Sequence, residues 1–108
     1  MRDFTVKEAY EIIKSLDSGS QIYMTKHFHS SNNLRHKKSD ICIEALLNQE
    51  ILGIQKQEFN KFKLTYEHKI RKSQDLYLII VINDNETIKL ITTYDGNKTR
   101  RLGENEGR

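Results

Sequence analysis

Apolar positions along this 108-residue chain change period near Gln49. Ahead of it they recur every three to four residues. Val6, Ala9, Tyr10, Ile13 and Leu16 form one stripe, with Lys7, Glu11 and Lys14 opposite, which predicts a helix that packs on one side and is wet on the other. Thr5 and Glu8 stand at capping-box spacing, where each side chain bonds the other's backbone N–H. "DSGS" closes the helix, with Gly19 suited to the left-handed position past its end. "QIYMTK" is rich in strand formers, and the polar "HFHSSNNLRHKK" reads as a loop or a frayed helical turn. Ser39 is the expected N-cap of a second helix, "DICIEALLNQ", with Asp40 in its first turn complementing the dipole. Apolar residues nearly surround that helix, which predicts burial against a sheet.

After Gln49 the period becomes two. "EILGIQKQ", "KFKLTYEHK", "DLYLIIVIND" and "ETIKLITTYD" are four successive candidate strands. Phe62, Leu64 and Tyr66 alternate with Lys61, Lys63, Thr65 and Glu67, so this strand has one buried and one wet face. "LYLIIVI" is apolar on both sides and is the expected central strand. "NDNE" is a turn signal that joins the last two strands as a hairpin. The pattern predicts an α+β domain over residues 1–102, with N-terminal helices on one face of a mainly antiparallel sheet of four to five strands. Residues 103–108, within a glycine-bearing tail without apolar periodicity, are expected to be flexible.

Composition narrows the function classes. The chain is 36% apolar and 31% charged, with net charge +3 and a pI of about 9.0. Its longest apolar run is too short to span a bilayer, and the first ten residues lack a signal-peptide pattern. We therefore expect a cytoplasmic protein without a membrane partner. Cys42 is the single cysteine, which excludes an internal disulfide and a thiolate metal cluster. Its apolar helical setting suits an inert buried thiol.

The basic residues are clustered. Lys61–Lys72 holds five Lys or Arg against one Glu; Arg35, Lys37 and Lys38 form a second cluster, and Lys98, Arg100 and Arg101 a third. If the fold gathers them they suit a phosphate-bearing partner; the alternative is that they solubilise loops and an edge strand.

The stretch from Thr25 to Ile41 carries a further signal. Thr25-x-His27 follows the first candidate strand, Arg35 stands eight residues beyond the histidine, and Ser39, Asp40 and Ile41 open the second helix. The closing strand carries Thr92, Thr93 and Tyr94. Over Gln21 to about Arg101, these motifs and the order of elements resemble a family of small microbial domains related to BrnT-type and RelE-type toxins. That family has a further arginine four residues after the histidine, where this chain has Ser31. The resemblance implies a compact microbial ribonuclease fold, of the RelE, BrnT and barnase kind, cleaving single-stranded RNA without a metal or other cofactor. It also implies an acidic antitoxin-like partner protein.

Such cleavage needs a group to take the proton from the ribose 2′-OH, another to protonate the leaving 5′-oxygen, and cations for the phosphorane oxygens. Histidine titrates near neutrality and arginine offers a permanently charged fork of donors. On this inventory His27 is the candidate general acid or base and Arg35 the phosphate clamp. Arg100 or Arg101 is the second cation, and Tyr94 stacks on a base or donates a proton. Lys37, Lys38, Lys61, Lys63, His68 and Lys98 are candidate RNA-binding residues. The structural alternative is that His27 anchors its loop on a backbone carbonyl and Arg35 pairs with a carboxylate.

His27, His29 and His36 match no zinc spacing, so no metal site is expected. His68 reads as a surface strand residue. The aromatics of Lys61–Glu67 fall on the buried parity, so base stacking from that strand is not expected. A non-catalytic nucleic-acid- or protein-binding module, such as an inhibitor or adaptor from a mobile element, is the alternative function. An exposed sheet edge leaves the oligomeric state open, edge-to-edge dimers included.

Overall fold

The computed structural model describes residues 2–25, 36–69 and 72–97, and for 36–38 only the backbone. His27, Arg35, Lys98, Arg100, Arg101 and the tail 103–108 lie outside the described residues, as do the side chains of Lys37 and Lys38. The chain forms α1 (Val6–Lys14), a 3-10 turn (Gly19–Gln21), β1 (Ile22–Met24) and α2 (His36–Asn48). Four strands follow: β2 (Gly53–Glu58), β3 (Lys61–Glu67), β4 (Gln74–Ile82) and β5 (Ile88–Asn97). They build one sheet in the order β1-β5-β4-β3-β2. Neighbours from β2 to β5 are antiparallel, and β1 pairs with β5 in parallel, so the domain is α+β with a mixed five-stranded sheet. No described helix is long and apolar enough to cross a membrane.

β4 is central, as its apolar character on both sides predicts. Its even-numbered residues Leu76, Leu78, Ile80 and Ile82 join Phe62, Leu64 and Tyr66 of β3 in the core. Ala9, Ile12 and Ile13 of α1 and Cys42, Ala45 and Leu46 of α2 complete it. Burial pushes the Tyr66 hydroxyl well above its ordinary pKa, with a smaller push from the nearby Cys42 thiol. Among the described residues that hydroxyl has no hydrogen-bond partner.

Three local expectations change. The buried stripe of α1 is Ala9, Ile12 and Ile13, while Val6 and Tyr10 are exposed; Phe4 ahead of the helix and Leu16 just past it are buried as well. Gly19 has no positive φ and belongs to the 3-10 turn, because α1 already ends at a right-handed Ser15 C-cap. α2 starts at His36, so Ser39 lies within it. The capping box at α1 forms as its spacing requires: Glu8 N–H donates to Thr5 Oγ1 at 3.1 Å and Thr5 N–H to Glu8 Oε1 at 2.9 Å. The Thr5 N–H bond holds the Glu8 carboxyl below its ordinary pKa.

The segment before α1 is tied to the β2–β3 turn. Asn60 there has a left-handed backbone (φ 54°) and is buried. Its Oδ1 accepts from Phe4 N–H at 2.7 Å and its Nδ2 donates to the Arg2 carbonyl. "NDNE" forms the predicted β4–β5 hairpin turn, with Asn83 N–H donating to Thr87 O at 3.0 Å.

Candidate nucleic-acid interface

Directly paired residues of neighbouring strands share a face, so the register defines the side of the sheet opposite the core. Lys61, Lys63, Thr65 and Glu67 of β3 lie there, level with Val81, Ile79, Tyr77 and Asp75 of β4. β5 continues the rows with Lys89, Thr92, Tyr94 and Gly96, and β1 sets Tyr23 beside Lys89. Three tyrosines and three lysines therefore occupy one face: Tyr23, Tyr77, Tyr94, Lys61, Lys63 and Lys89. Lys61 is bonded within that edge to Glu58, at 3.3 Å.

A bulge puts Tyr94 there. Ile79 pairs with Thr92 but Ile80 pairs with Leu90, so Ile91 is extra and the parity of β5 inverts. Before the bulge Ile88 and Leu90 face the core. Beyond it Thr93 and Asp95 take that side, and Thr92 and Tyr94 swing to the other, a face open at Tyr23, Lys89 and Tyr94 but buried along Asp75, Tyr77 and Ile79 of β4. Thr93 Oγ1 fastens the inverted segment by donating to Tyr77 O at 2.9 Å.

Tyr77 is the floor of the face. Its ring stacks on Tyr94, with centroids 5.0 Å apart and planes 26° from parallel, and the Lys63 Nζ sits 4.5 Å from its centroid. A Cβ on Gly96 would lie 2.3 Å from Tyr77 Cε2, so the glycine is what lets the ring lie flat. Tyr77 is only 1% exposed, whereas Tyr94 is 38% and Tyr23 is 52% exposed. Tyr94 thus offers an exposed ring backed by Tyr77, and Tyr77 in turn carries the Lys63 ammonium; stacking rings and nearby cations are the two elements from which single-stranded nucleic-acid sites are built. No protein family, curated protein or solved structure matches this chain.

Among the expected site residues, the structure brings Lys61, Lys63 and Tyr94 onto one face. It turns His68 away from them. His68 is not a surface strand residue: it is 4% exposed, and its Nε2 lies 3.4 Å from Asp95 Oδ1. Its even position after β3 carries it to the helix side, where the β5 bulge also delivers Asp95. There it lines a cleft of about 440 Å³ with Gln49, Leu52, Glu67, Lys69 and Lys72. His27, Arg35, Lys98, Arg100 and Arg101 are outside the described residues, and the side chains of Lys37 and Lys38 likewise. Among the described residues no group of three or more His, Cys, Asp or Glu side chains could hold a metal ion.

Sequence reasoning missed Tyr23, Tyr77 and Lys89. Phe62 and Tyr66 are in the core as β3's alternation requires, and the rings of the open face come from the other strands instead. One signal for them was available: a glycine two residues after Tyr94 inside a strand marks a bulge or the close approach of another group.

Proposed function

We propose that this chain is an RNA-directed domain on a RelE-, BrnT- or barnase-like scaffold, a metal-independent endoribonuclease of toxin–antitoxin type that takes single-stranded RNA. The observation that carries the reading is the open sheet face, where Tyr94 rests on Tyr77 beside Lys63, with Lys61 and Lys89 in the adjoining rows. Helices ahead of an antiparallel meander are what support the scaffold. Lys98, which follows β5 in the chain, adds a cation to the RNA-binding set, and Arg100 or Arg101 is the second cation for the reacting phosphate. The resemblance gives His27 a proton-transfer role and Arg35 a phosphate-binding one. An acidic antitoxin-like protein would cover the same lysines and compete with RNA.

Fluorescence anisotropy with a labelled single-stranded RNA, read against salt, tests this. Tyr94→Ala removes one stacking platform, worth about 1–3 kcal/mol, so affinity should fall about five- to 150-fold. Lys63→Ala should flatten the slope of log K against log salt by about 0.7, the value for one phosphate contact on a single strand. Binding that ignores salt, or that is unchanged by Tyr94→Ala, refutes the interface. Binding of unmodified RNA without any cleavage selects the non-catalytic module instead.

A further inference from the structure

The hairpin end of the open face carries a second concave feature. A pocket of about 340 Å³ lies there, lined by Phe59 from the β2–β3 turn and by Asn83 and Asp84 from the β4–β5 turn. It meets the sheet at Val81 and Lys89, which are direct partners on the open face. The pocket therefore continues the row that runs from Lys61 through Val81 and Lys89 to Tyr23. Phe59 is 47% exposed, an aromatic ring held at the surface where packing makes little use of it.

Both turns are fixed before any ligand arrives. Asn60, next to Phe59, accepts at its backbone oxygen from Ile82 N–H at 3.0 Å, and its Nδ2 donates to the Arg2 carbonyl. In the other turn Asp84 Oδ1 accepts from Arg2 N–H at 3.0 Å, and Asn83 Nδ2 donates to Thr87 Oγ1 at 2.9 Å. One residue, Arg2, thus ties the two turns together. A ring on so rigid a mount gives up little freedom when a flat ligand stacks on it, and the Lys89 ammonium in the same pocket suits a ligand that carries phosphate. Val81 lies four residues along β4 from Tyr77, the support of Tyr94, which at strand rise separates pocket and platform by about 14 Å. A stacked strand rising about 3.4 Å per nucleotide covers that gap in about four nucleotides.

We propose that this pocket takes one base of the same RNA strand that stacks on Tyr94, a deepening that rests on the RNA-directed reading above. Phe59 is the base's stacking platform, and Lys89 meets its phosphate. Asp84, with Oδ1 engaged by Arg2, accepts through its other oxygen from an exocyclic amino group. The pocket therefore favours cytosine, with its N4 amino group, over uracil, whose O4 would face the carboxylate.

Fluorescence anisotropy with labelled 2′-O-methyl cytidine pentamers, which have no free 2′-hydroxyl within the strand, tests this. Phe59→Ala and Phe59→Leu should each weaken binding about five- to 150-fold, the range for one stacked base, with melting temperatures near the parent's because the ring is exposed. Phe59→Tyr keeps a flat ring and should bind within about twofold. An abasic residue is then placed at each position of the pentamer in turn. At one position it should weaken binding to the parent protein and cost nothing more in Phe59→Ala. Uracil at that position should bind about fivefold or more weakly than cytosine, and Asp84→Asn, which retains the Oδ1 acceptor, should erase the difference. The proposal is overturned if Phe59→Ala or Phe59→Leu binds within about twofold of the parent. It is overturned equally if the abasic and Phe59→Ala costs add at every position, or if cytosine and uracil bind alike at all of them. In each of those cases the sheet-face reading stands as long as Tyr94→Ala weakens binding; a parent protein that binds no RNA sinks both.

Discussion

Gly96→Ala isolates the packing on which the open face depends. The new methyl would lie 2.3, 3.2 and 3.3 Å from Tyr77 Cε2, Cδ2 and Cζ, against about 3.5–4.0 Å for comfortable carbon contact. The ring must move by more than about 1 Å to restore that separation. It has little room to do so, being 1% exposed, stacked on Tyr94 and beneath Lys63. Moving it sacrifices an aromatic pair worth about 0.5–1.5 kcal/mol and a cation–π contact worth about 0.5–1 kcal/mol. Alanine returns about 0.5–1 kcal/mol because glycine loses more backbone freedom on folding. Typical overpacking costs of about 1–3 kcal/mol lead to a net destabilisation of about 1–2 kcal/mol. With an m-value near 1–2 kcal/mol/M, the urea midpoint should fall by about 1 M while m stays constant. Tyr77→Leu provides the control: with the ring gone, Gly96→Ala should be neutral or stabilising, a coupling that a double-mutant cycle measures directly. An unchanged or raised midpoint for Gly96→Ala alone, or the same cost in both backgrounds, refutes the argument.

Further outcomes follow from two buried polar groups. Tyr66→Phe removes a buried hydroxyl that has no partner among the described residues and should stabilise the fold by about 1 kcal/mol; a loss of that size in urea unfolding would show that the hydroxyl is satisfied after all. Because the folded-state pKa of Tyr66 is raised from 10.0, its contribution is intact below pH 10 and declines as pH rises above that value, where the unfolded chain ionises first. Tyr66→Phe should blunt that alkaline loss, and equal alkaline loss in both proteins would contradict it. Asn60→Ala should cost about 2–4 kcal/mol, since it strands the Phe4 N–H and forces alanine into a left-handed backbone. Asn60→Gly keeps the backbone and should cost less; equal melting temperatures for the two variants would remove the backbone part of the argument.

What the sequence could disclose depended on whether a residue's neighbours carried a periodic signal. The alternation in Lys61–Glu67 announced both faces of β3, and the unbroken apolar run in β4 announced its central place. That same run concealed Tyr77, because a strand apolar on both sides has no wet parity against which one ring stands out. β5 misled more directly: Ile88, Leu90, Thr92 and Tyr94 share parity in the chain, and only the extra residue Ile91 sends the last two to the other face. A bulge depends on pairing with another strand, which local pattern does not encode. His68 was misjudged for a related reason, since its charged neighbours suggest solvent while its partner Asp95 arrives from far along the chain. The parallel pairing of β1 with β5 was equally hidden, as three residues are too few to declare a partner.

That parallel pairing also constrains how the chain folds as it leaves the ribosome. Among the described residues β5 is β1's one neighbour in the sheet, and α2 with three strands must be synthesised between them. At about 5–20 residues per second, β1 waits several seconds before Ile88–Leu90 can receive it, and the α1 segment meanwhile lacks most of the core it packs against. Late closure of this kind exposes Ile22 and the apolar stripe of α1 to nascent-chain chaperones, so truncation within β5 should convert a folding chain into an aggregating one.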